Sequence, residues 1–245
     1  MKSTKSFLCL ATVAIFSIFF CHSCDTVGRN RVKGNGNLKK EERQVAAFHQ
    51  LKVEGSMNVY LSQGAAKAAV IEADENIIPL IELKEEDGRL VVRLKRAYAV
   101  STHNNMNIYL TTPELDEASL SGSGDLKIQD KFNSTAAVKF SLAGSGNLTG
   151  EINAPTVKAS IAGSGDMKLK GETKDINLFI AGSGNFKGDE LLAENANVKI
   201  AGSGDANVYA SMKLDAKIAG SGNVNYKGTP QVSSSVAGSG TIQKM

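Results

Sequence analysis

The tripeptide Gly-Ser-Gly recurs in the second half of this 245-residue chain at steps of 22, 19, 19, 20, 18 and 18 residues, and no other feature constrains the fold as strongly. Self-similarity at a fixed period is typical of repeat architectures, in which each unit contacts only its neighbours. The repeat therefore predicts a stack of units of about 20 residues. The glycines of the seven triplets are Gly122, Gly124, Gly144, Gly146, Gly163, Gly165, Gly182, Gly184, Gly202, Gly204, Gly220, Gly222, Gly238 and Gly240.

The residues on either side of each triplet alternate in polarity. In the third copy, Val157 and Ile161 share one parity with Gly163, Gly165 and Met167, whereas most intervening positions are polar. Period-2 alternation is typical of a strand with one buried face. Because the alternation continues through the triplet, it predicts a strand, a sharp bend and a second strand. Both glycines then face inward, where the corner has no room for a Cβ, and the serine points outward.

A single unit of this kind cannot bury its own apolar stripe, so the units must stack. The predicted fold is all-β: a right-handed parallel β-helix, or solenoid, with coils of about 20 residues and Gly-Ser-Gly corners. The hand follows from the usual crossover rule. The competing topology is a meander of hairpins, in which successive triplets lie at alternating ends of the sheet.

The residue that follows each triplet supports stacking, because acid and amide alternate along the series. The series is Asp125, Asn147, Asp166, Asn185, Asp205 and Asn223, and it ends on Thr241. In a stack, equivalent residues of neighbouring coils lie ~4.8 Å apart, where two carboxylates repel by ~0.9 kcal/mol even at the dielectric constant of water. Alternation doubles the separation of the acids and allows each amide to donate to an acid. A meander offers no reason for this pattern.

The region before the first triplet is a degenerate version of the repeat, with Gly55-Ser56-Met57-Asn58 in place of the motif and a turn at Asp87-Gly88. Terminal coils of solenoids are commonly atypical. Residues 45–245 are therefore predicted to form one domain with irregular N-terminal coils.

The N-terminus is typical of an export signal, because Lys2 and Lys5 precede an apolar run over 7–20 that is too short to span a bilayer. The predicted signal peptide covers 1–23. Cys24 follows a small residue and resembles the acylated cysteine of a bacterial lipobox, although Cys21 and His22 depart from the usual pattern. The alternative is ordinary cleavage near Ser23 and a soluble secreted protein. Residues 24–44 lack periodicity and are predicted to be a flexible tether. The expected location is the cell envelope, as an outer-membrane lipoprotein, with the membrane face left open.

The sequence resembles the head GIN domain family, auto-transporter adhesins of Gram-negative envelopes. The resemblance rests on Ala-Gly-Ser-Gly-Asp/Asn recurring from 122 to 240, on the leader with Cys24, and on the segments 70–76 and 87–92. It covers about 45–245. It implies a right-handed β-helix with the triplet at the tight turn between two sheets, repeats that occur in pairs, a role in cell adhesion, and no catalytic residues. The implied fold also resembles that of pectin lyases, which raises an enzymatic alternative.

The residue types present in the chain argue against most kinds of catalytic and metal-binding site. After the predicted cleavage His49 and His103 are the only histidines, and they are expected to be surface residues. Seven equivalent serines indicate structure, because catalysis needs one differentiated site. An Asp row interleaved with amides suits neither a pair of acids with different pKa values nor Ca²⁺, which prefers six to eight oxygen ligands. No cofactor and no metal site are predicted. A net charge of +3, lowered by two on removal of the leader, disfavours nucleic acid.

The predicted function is a non-catalytic adhesion or interaction module of the envelope, held at the membrane by a lipid anchor. Its ligand is an unknown surface glycan or protein. The alternatives are a carbohydrate-active, pectin-lyase-like enzyme and a purely structural or sensing envelope protein. Outward-facing Tyr60, Tyr109, Tyr209 and Phe179 could anchor a partner or stack across strands on the sheet. The candidate contact surface consists of Ser123, Asp125, Ser145, Asn147, Ser164, Asp166, Ser183, Asn185, Ser203, Asp205 and Tyr209.

Overall fold

The computed structural model describes residues 30–245, so the predicted signal peptide and Cys24 lie outside the described residues. The described chain is almost entirely β, with about 70% of it in strands and one short 3₁₀ turn at Ile78–Leu80. Within this range, no helix is long and apolar enough to cross a membrane. The strands are β1 Asn30–Lys33, β2 Leu38–Arg43, β3 Gln50–Gly55, β4 Asn58–Gln63, β5 Ala69–Asp74, β6 Ile81–Glu86, β7 Arg89–Leu94, β8 Tyr98–Ser101, β9 Asn107–Thr112, β10 Glu117–Gly122, β11 Asp125–Asn133, β12 Val138–Gly144, β13 Asn147–Gly163, β14 Asp166–Gly182, β15 Asn185–Gly202, β16 Ala206–Tyr209, β17 Lys213–Gly220, β18 Val224–Lys227, β19 Gln231–Gly238 and β20 Ile242–Lys244.

The strands from β3 onward wind into a β-solenoid of about six turns. One ladder contains the segments that precede each triplet: β3, β10, β12, the C-terminal parts of β13, β14 and β15, then β17 and β19. A second ladder contains the segments that follow each triplet and ends with β16, β18 and β20. Every pairing in these stretches is parallel. This confirms the predicted solenoid and excludes the hairpin meander, whereas the right-handed sense of winding stays a prediction.

The seven triplets lie in register along one edge of the solenoid. Gly163, for example, is paired with Gly144 on one side and Gly182 on the other. The N–H groups of Ser164 and Gly165 both donate to the carbonyl oxygen of Gly144, at 2.9 and 3.0 Å. The second glycine of the triplet is buried, and a Cβ there would overlap the neighbouring coil's backbone. This close approach of neighbouring coils is the physical reason to expect that the corner requires glycine.

The core is a continuous apolar column inside the coils. Its largest fully buried side chains include Phe132, Phe140 and Phe186, and smaller Leu, Ile, Val and Ala residues fill the remaining layers. The side chains alternate between buried and exposed along β12 and β17. This is the period expected when one face of a strand is buried and the other is solvated.

The tether predicted over 24–44 is wrong for residues 30–43, which form two paired strands. β1 pairs in parallel with β8, and β2 pairs antiparallel with β5. The domain therefore begins at least 15 residues before the predicted boundary at 45. The sequence of β2 shows no alternation of apolar and polar residues, because every residue from Leu38 to Glu42 is exposed. β2 is held by backbone hydrogen bonds and by polar contacts such as Lys40 with Glu72, which need no apolar alternation.

The N-terminal coils are irregular, as predicted, because antiparallel strands cover this end of the solenoid. β5 pairs antiparallel with β9, and β6 and β7 form a hairpin. The order in space also departs from the order in sequence, since β3 lies between β7 and β10. These pairings place an antiparallel cap on the first parallel coil.

Candidate functional site

The first candidate surface is the corner ridge, which we define as the triplet serines and the Asp/Asn residues that follow them. All seven serines are exposed, and the register of the two ladders places them in one row. The serines are Ser123, Ser145, Ser164, Ser183, Ser203, Ser221 and Ser239. The structure thus aligns the predicted contact residues of the ridge on one edge of the solenoid.

The acid and amide side chains of the corner ridge hydrogen-bond in pairs from coil to coil. The Nδ2 of Asn147 donates to Asp125 at 2.9 Å, that of Asn185 to Asp166 at 3.0 Å, and that of Asn223 to Asp205 at 2.9 Å. The backbone N–H of Asp205 in turn donates to Oδ1 of Asn185 at 3.1 Å. These bonds explain the alternation read from the sequence.

The ionised state of Asp166 is favoured within this row. Burial opposes ionisation, but hydrogen bonds from Lys187 and Asn185 outweigh it and hold the pKa of Asp166 below its ordinary value. Lys187 Nζ lies 2.9 Å from the second carboxylate oxygen. The Asp166 carboxylate is therefore engaged by the protein itself, which favours a structural role for this part of the ridge.

We expect Asn185→Asp to destabilise the protein, because it places a third carboxylate between Asp166 and Asp205. Two like-charge contacts at ~4.8 Å cost about 1.7 kcal/mol in total even at the dielectric constant of water. Urea unfolding at neutral pH measures this loss. The control is Asn185→Ser, which removes the amide that donates to Asp166 without adding charge. The two variants should converge in stability at acid pH, and equal stability at neutral pH would contradict the electrostatic reading of the alternation.

The second candidate surface is a shallow groove of about 650 Å³ on another side of the solenoid, which we call the side groove. It crosses five successive coils. In each coil its residues lie about halfway in sequence between one triplet and the next. Its lining residues are Asn133, Ser134, Thr135, Asn153, Ala154, Glu172, Thr173, Lys174, Leu192, Ala193, Glu194, Tyr209 and Ser211.

Small side chains form the floor of the side groove, and larger ones project from it. Ala154, Thr173 and Ala193 are buried, whereas Leu192 is 49% exposed. Tyr209 is half-buried at the end of β16. Leu192 is an apolar residue at an outward position, because its register partner on β14 is the exposed Glu172.

An ion pair braces the strands around Tyr209. Nζ of Lys227 lies 2.7 Å from Asp189, two coils away, so the pair spans the coil that carries Tyr209. The hydrogen bond from Lys227 lowers the pKa of Asp189, outweighing the opposing effect of burial. The pair ties β15 to β18 on either side of β16.

The other outward aromatic residues have separate environments. Tyr60 and Tyr109 stack across β4 and β9 with ring centroids 5.0 Å apart, and the Tyr109 hydroxyl donates to Glu72. Burial, followed by the charge of Glu72, raises the pKa of Tyr109. Of the two roles predicted for the outward aromatic residues, these two rings therefore take the second, stacking across strands on the sheet. Phe179 is 47% exposed and lies on the other ladder.

Sequence reasoning found Tyr209 but grouped it with the corner serines and missed the rest of the side groove. The groove residues do not form a motif, because each coil contributes a different type at the same turn. Aligning the coils from each Asp/Asn position would bring Asn153 and Glu172 to the same place, six residues downstream in both coils. Such an alignment of the coils is the sequence signal that could have identified the groove residues.

The two histidines of the described chain lie at its surface. His49 Nδ1 lies 2.7 Å from Asp116, and His103 is exposed, consistent with surface residues. Over residues 30–245, no three His, Cys, Asp or Glu side chains converge as metal ligands.

The solenoid, its corner ridge and its polar side groove define an all-β repeat protein. The family described as "Putative auto-transporter adhesin, head GIN domain" matches residues 47–230. The chain belongs to this family, as the sequence resemblance predicted. No functionally curated protein matches the chain.

Solved structures share the fold over nearly their whole length. A "putative adhesin" from Bacteroides fragilis is 26% identical, with a TM-score of 0.82, and the match covers 87% of this chain and 100% of that one. A "putative lipid binding protein" from Parabacteroides distasonis is 28% identical, with a TM-score of 0.74 and coverage of 88% and 100%. A "putative adhesin" from Parabacteroides merdae is 26% identical, with a TM-score of 0.70 and coverage of 88% and 99%. These relationships support an adhesion-like module of the envelope and favour a non-enzymatic role.

Proposed function

We propose that this protein is a non-catalytic adhesion module, anchored in the outer membrane through acylated Cys24, that contacts an external glycan or protein through its side groove. The observation that carries the proposal is the side groove itself. It combines exposed hydrogen-bonding groups with Leu192 and Tyr209, and neither histidine nor cysteine lines it. A binding surface needs hydrogen-bonding groups that fix the orientation of the ligand, together with a few apolar contacts.

The N-terminal strands limit the distance between Cys24 and the folded domain, which bears on the proposed lipid anchor. Six residue steps separate Cys24 from Asn30, where β1 begins. Six steps of extended chain span at most ~20 Å. An acyl group on Cys24 would therefore hold the antiparallel cap close to the bilayer. The predicted 21-residue tether would have left the domain much freer.

A lipid-binding role, suggested by the name of the Parabacteroides distasonis relative, is less well supported. The side groove is lined mainly by amide, hydroxyl and charged side chains rather than by a continuous apolar wall. Acyl chains require apolar surface, because their transfer free energy scales with the apolar area removed from water.

We expect Cys24→Ala in the full-length chain to move the protein from the membrane fraction to the soluble fraction. The reason is the loss of acyl chains, each buried methylene of which contributes ~0.8 kcal/mol to membrane binding. Fractionation of cells with labelled fatty acid measures both the location and the acylation. Cys21→Ala is the matched control and should retain both. Label retained after Cys24→Ala would contradict the anchor.

The adhesion test uses cells that carry or lack the protein, applied to surfaces coated with mucin or with fibronectin. Protease treatment of the intact cells establishes whether the domain is exposed outside. We expect exposed protein and increased adhesion to at least one surface. Equal adhesion of both cell types to both surfaces, or full protection from protease, would overturn the proposed function.

A further inference from the structure

We infer that the side groove binds an uncharged oligosaccharide that lies along the solenoid axis, with Tyr209 and Leu192 packing against the sugar rings. This inference rests on the proposed function and names its ligand class. The groove crosses five coils, so its length is ~19 Å at a coil spacing of ~4.8 Å. A volume of about 650 Å³ lies within the usual range for a binding site.

The charged groups of the side groove are available to a ligand. Glu172, Lys174 and Glu194 are exposed, and none of their side chains takes part in an ion pair or side-chain hydrogen bond among the described residues. Elsewhere on the same solenoid lysines and acids pair readily, as Lys170 does with Glu151 at 2.8 Å. Carboxylates and amides with free oxygens and N–H groups suit the hydroxyl groups of a sugar.

The apolar contribution comes from two side chains on neighbouring coils. Leu192 is 49% exposed and Tyr209 is half-buried, and both line the groove. An aromatic ring with a hydroxyl at its tip can pack against the C–H face of a sugar and still bond to water or to a hydroxyl group. Two such residues among many polar ones match the mixed surface of an oligosaccharide.

The backbone of the side groove disfavours a peptide ligand. Asn153, Glu172 and Leu192 belong to strands that are paired on both sides in the parallel ladder. The N–H groups of Ser134 and Ser211 donate to the carbonyl oxygens of Asn153 and Ala193. An extended peptide that binds by adding a strand needs the free edge of a sheet, whereas these strands lie inside the ladder. A glycan needs only the side chains.

The charge balance of the side groove indicates an uncharged glycan rather than an acidic one. Its formal charges are those of Glu172, Glu194 and Lys174, with a net value of −1. Uronic acids or sulfated sugars would face like charge there. In this preference for uncharged sugars, the side groove differs from a groove that binds pectin-like substrates.

The test is binding of the purified mature chain to a mixed array of neutral and acidic oligosaccharides, followed by calorimetry on the strongest neutral hexasaccharide. We expect a neutral ligand to be preferred and Tyr209→Ala to weaken it about tenfold, which corresponds to 1.4 kcal/mol. Phe179→Ala is the control, because Phe179 is an outward-facing aromatic on the other ladder and is more exposed than Tyr209, and it should leave binding unchanged. Circular dichroism verifies that both variants are folded.

Three results would overturn the inference: no neutral oligosaccharide binds, an acidic one binds more tightly, or the two aromatic substitutions weaken binding equally. The proposed function fails separately. If no glycan binds but cells still adhere to fibronectin through the protein, the adhesion role stands and the glycan assignment is wrong. If cells do not adhere to either surface and no glycan binds, both are wrong.

Discussion

Replacing Gly163 by alanine is expected to lower the free energy of unfolding by at least about 3 kcal/mol, since backbone strain and a steric clash act together. Gly163 has a φ of +126°, a conformation that L side chains rarely adopt. A Cβ built there would lie 2.5 Å from the carbonyl oxygen of Gly144 on the preceding coil. That oxygen also accepts the N–H groups of Ser164 and Gly165. The neighbouring coil therefore cannot move away without losing both hydrogen bonds.

Urea unfolding followed by circular dichroism measures the loss, and Ser164→Ala provides the control one residue away. The Ser164 side chain is exposed on the corner ridge, so its truncation should change stability by less than about 0.5 kcal/mol. If the two variants were equally stable, the corner would not be a close-packed element. The same result would remove the physical reason for the repeat.

The second large effect concerns Asp74, a carboxylate only 2% exposed at the end of β5. It accepts hydrogen bonds from the Thr102 hydroxyl and the Asn104 amide. These bonds, led by Thr102, hold its pKa below the ordinary value, and the backbone N–H of Gly36 contributes as well. The carboxylate thus joins the segment after β1 to the loop that follows β8.

We expect Asp74→Asn to lower the melting temperature at neutral pH by about 5 °C. The new amide presents an N–H group to partners that are themselves donors, and one bond is left unmade. Trypsin cleavage after Arg31 and Lys33 should become faster, because the bonds that hold β1 in place are weakened. Thermal unfolding and limited proteolysis measure the two effects.

The difference between Asp74→Asn and the parent protein should shrink on acidification. A carboxyl group with a depressed native pKa stabilises the fold above its unfolded pKa of about 3.9, and this contribution is lost as the pH falls through the native pKa. The control is Asp130→Asn, since Asp130 is exposed and its substitution should change the melting temperature little. A constant gap between Asp74→Asn and the parent from neutral pH to about pH 3 would rule out the ionised network.

The two ends of the structure differ in how far sequence could predict them. The triplets around Gly163 and the alternation of Asp166 with Asn185 carry a local, repeated signal, so the parallel stack and the pairing of acid with amide follow from spacing alone. β2 carries no such signal, because its residues are exposed and its partner β5 lies about 30 residues away. Its place in the cap depends on backbone hydrogen bonds and on polar contacts of Lys40 and Arg43, which form only after the distant strands have come together.

By itself, the sequence determined the coil length, the direction of stacking and the row of glycine corners, because these depend on steric rules that repeat with the motif. Only the tertiary structure decided that residues 30–43 belong to the domain and that Leu192 and Tyr209 line one groove. A groove forms where side chains of different coils project around a turn, and their sizes and directions depend on three-dimensional register. That information is not carried by any one repeat, since Asn153, Glu172 and Leu192 differ in type and share only a position in the stack.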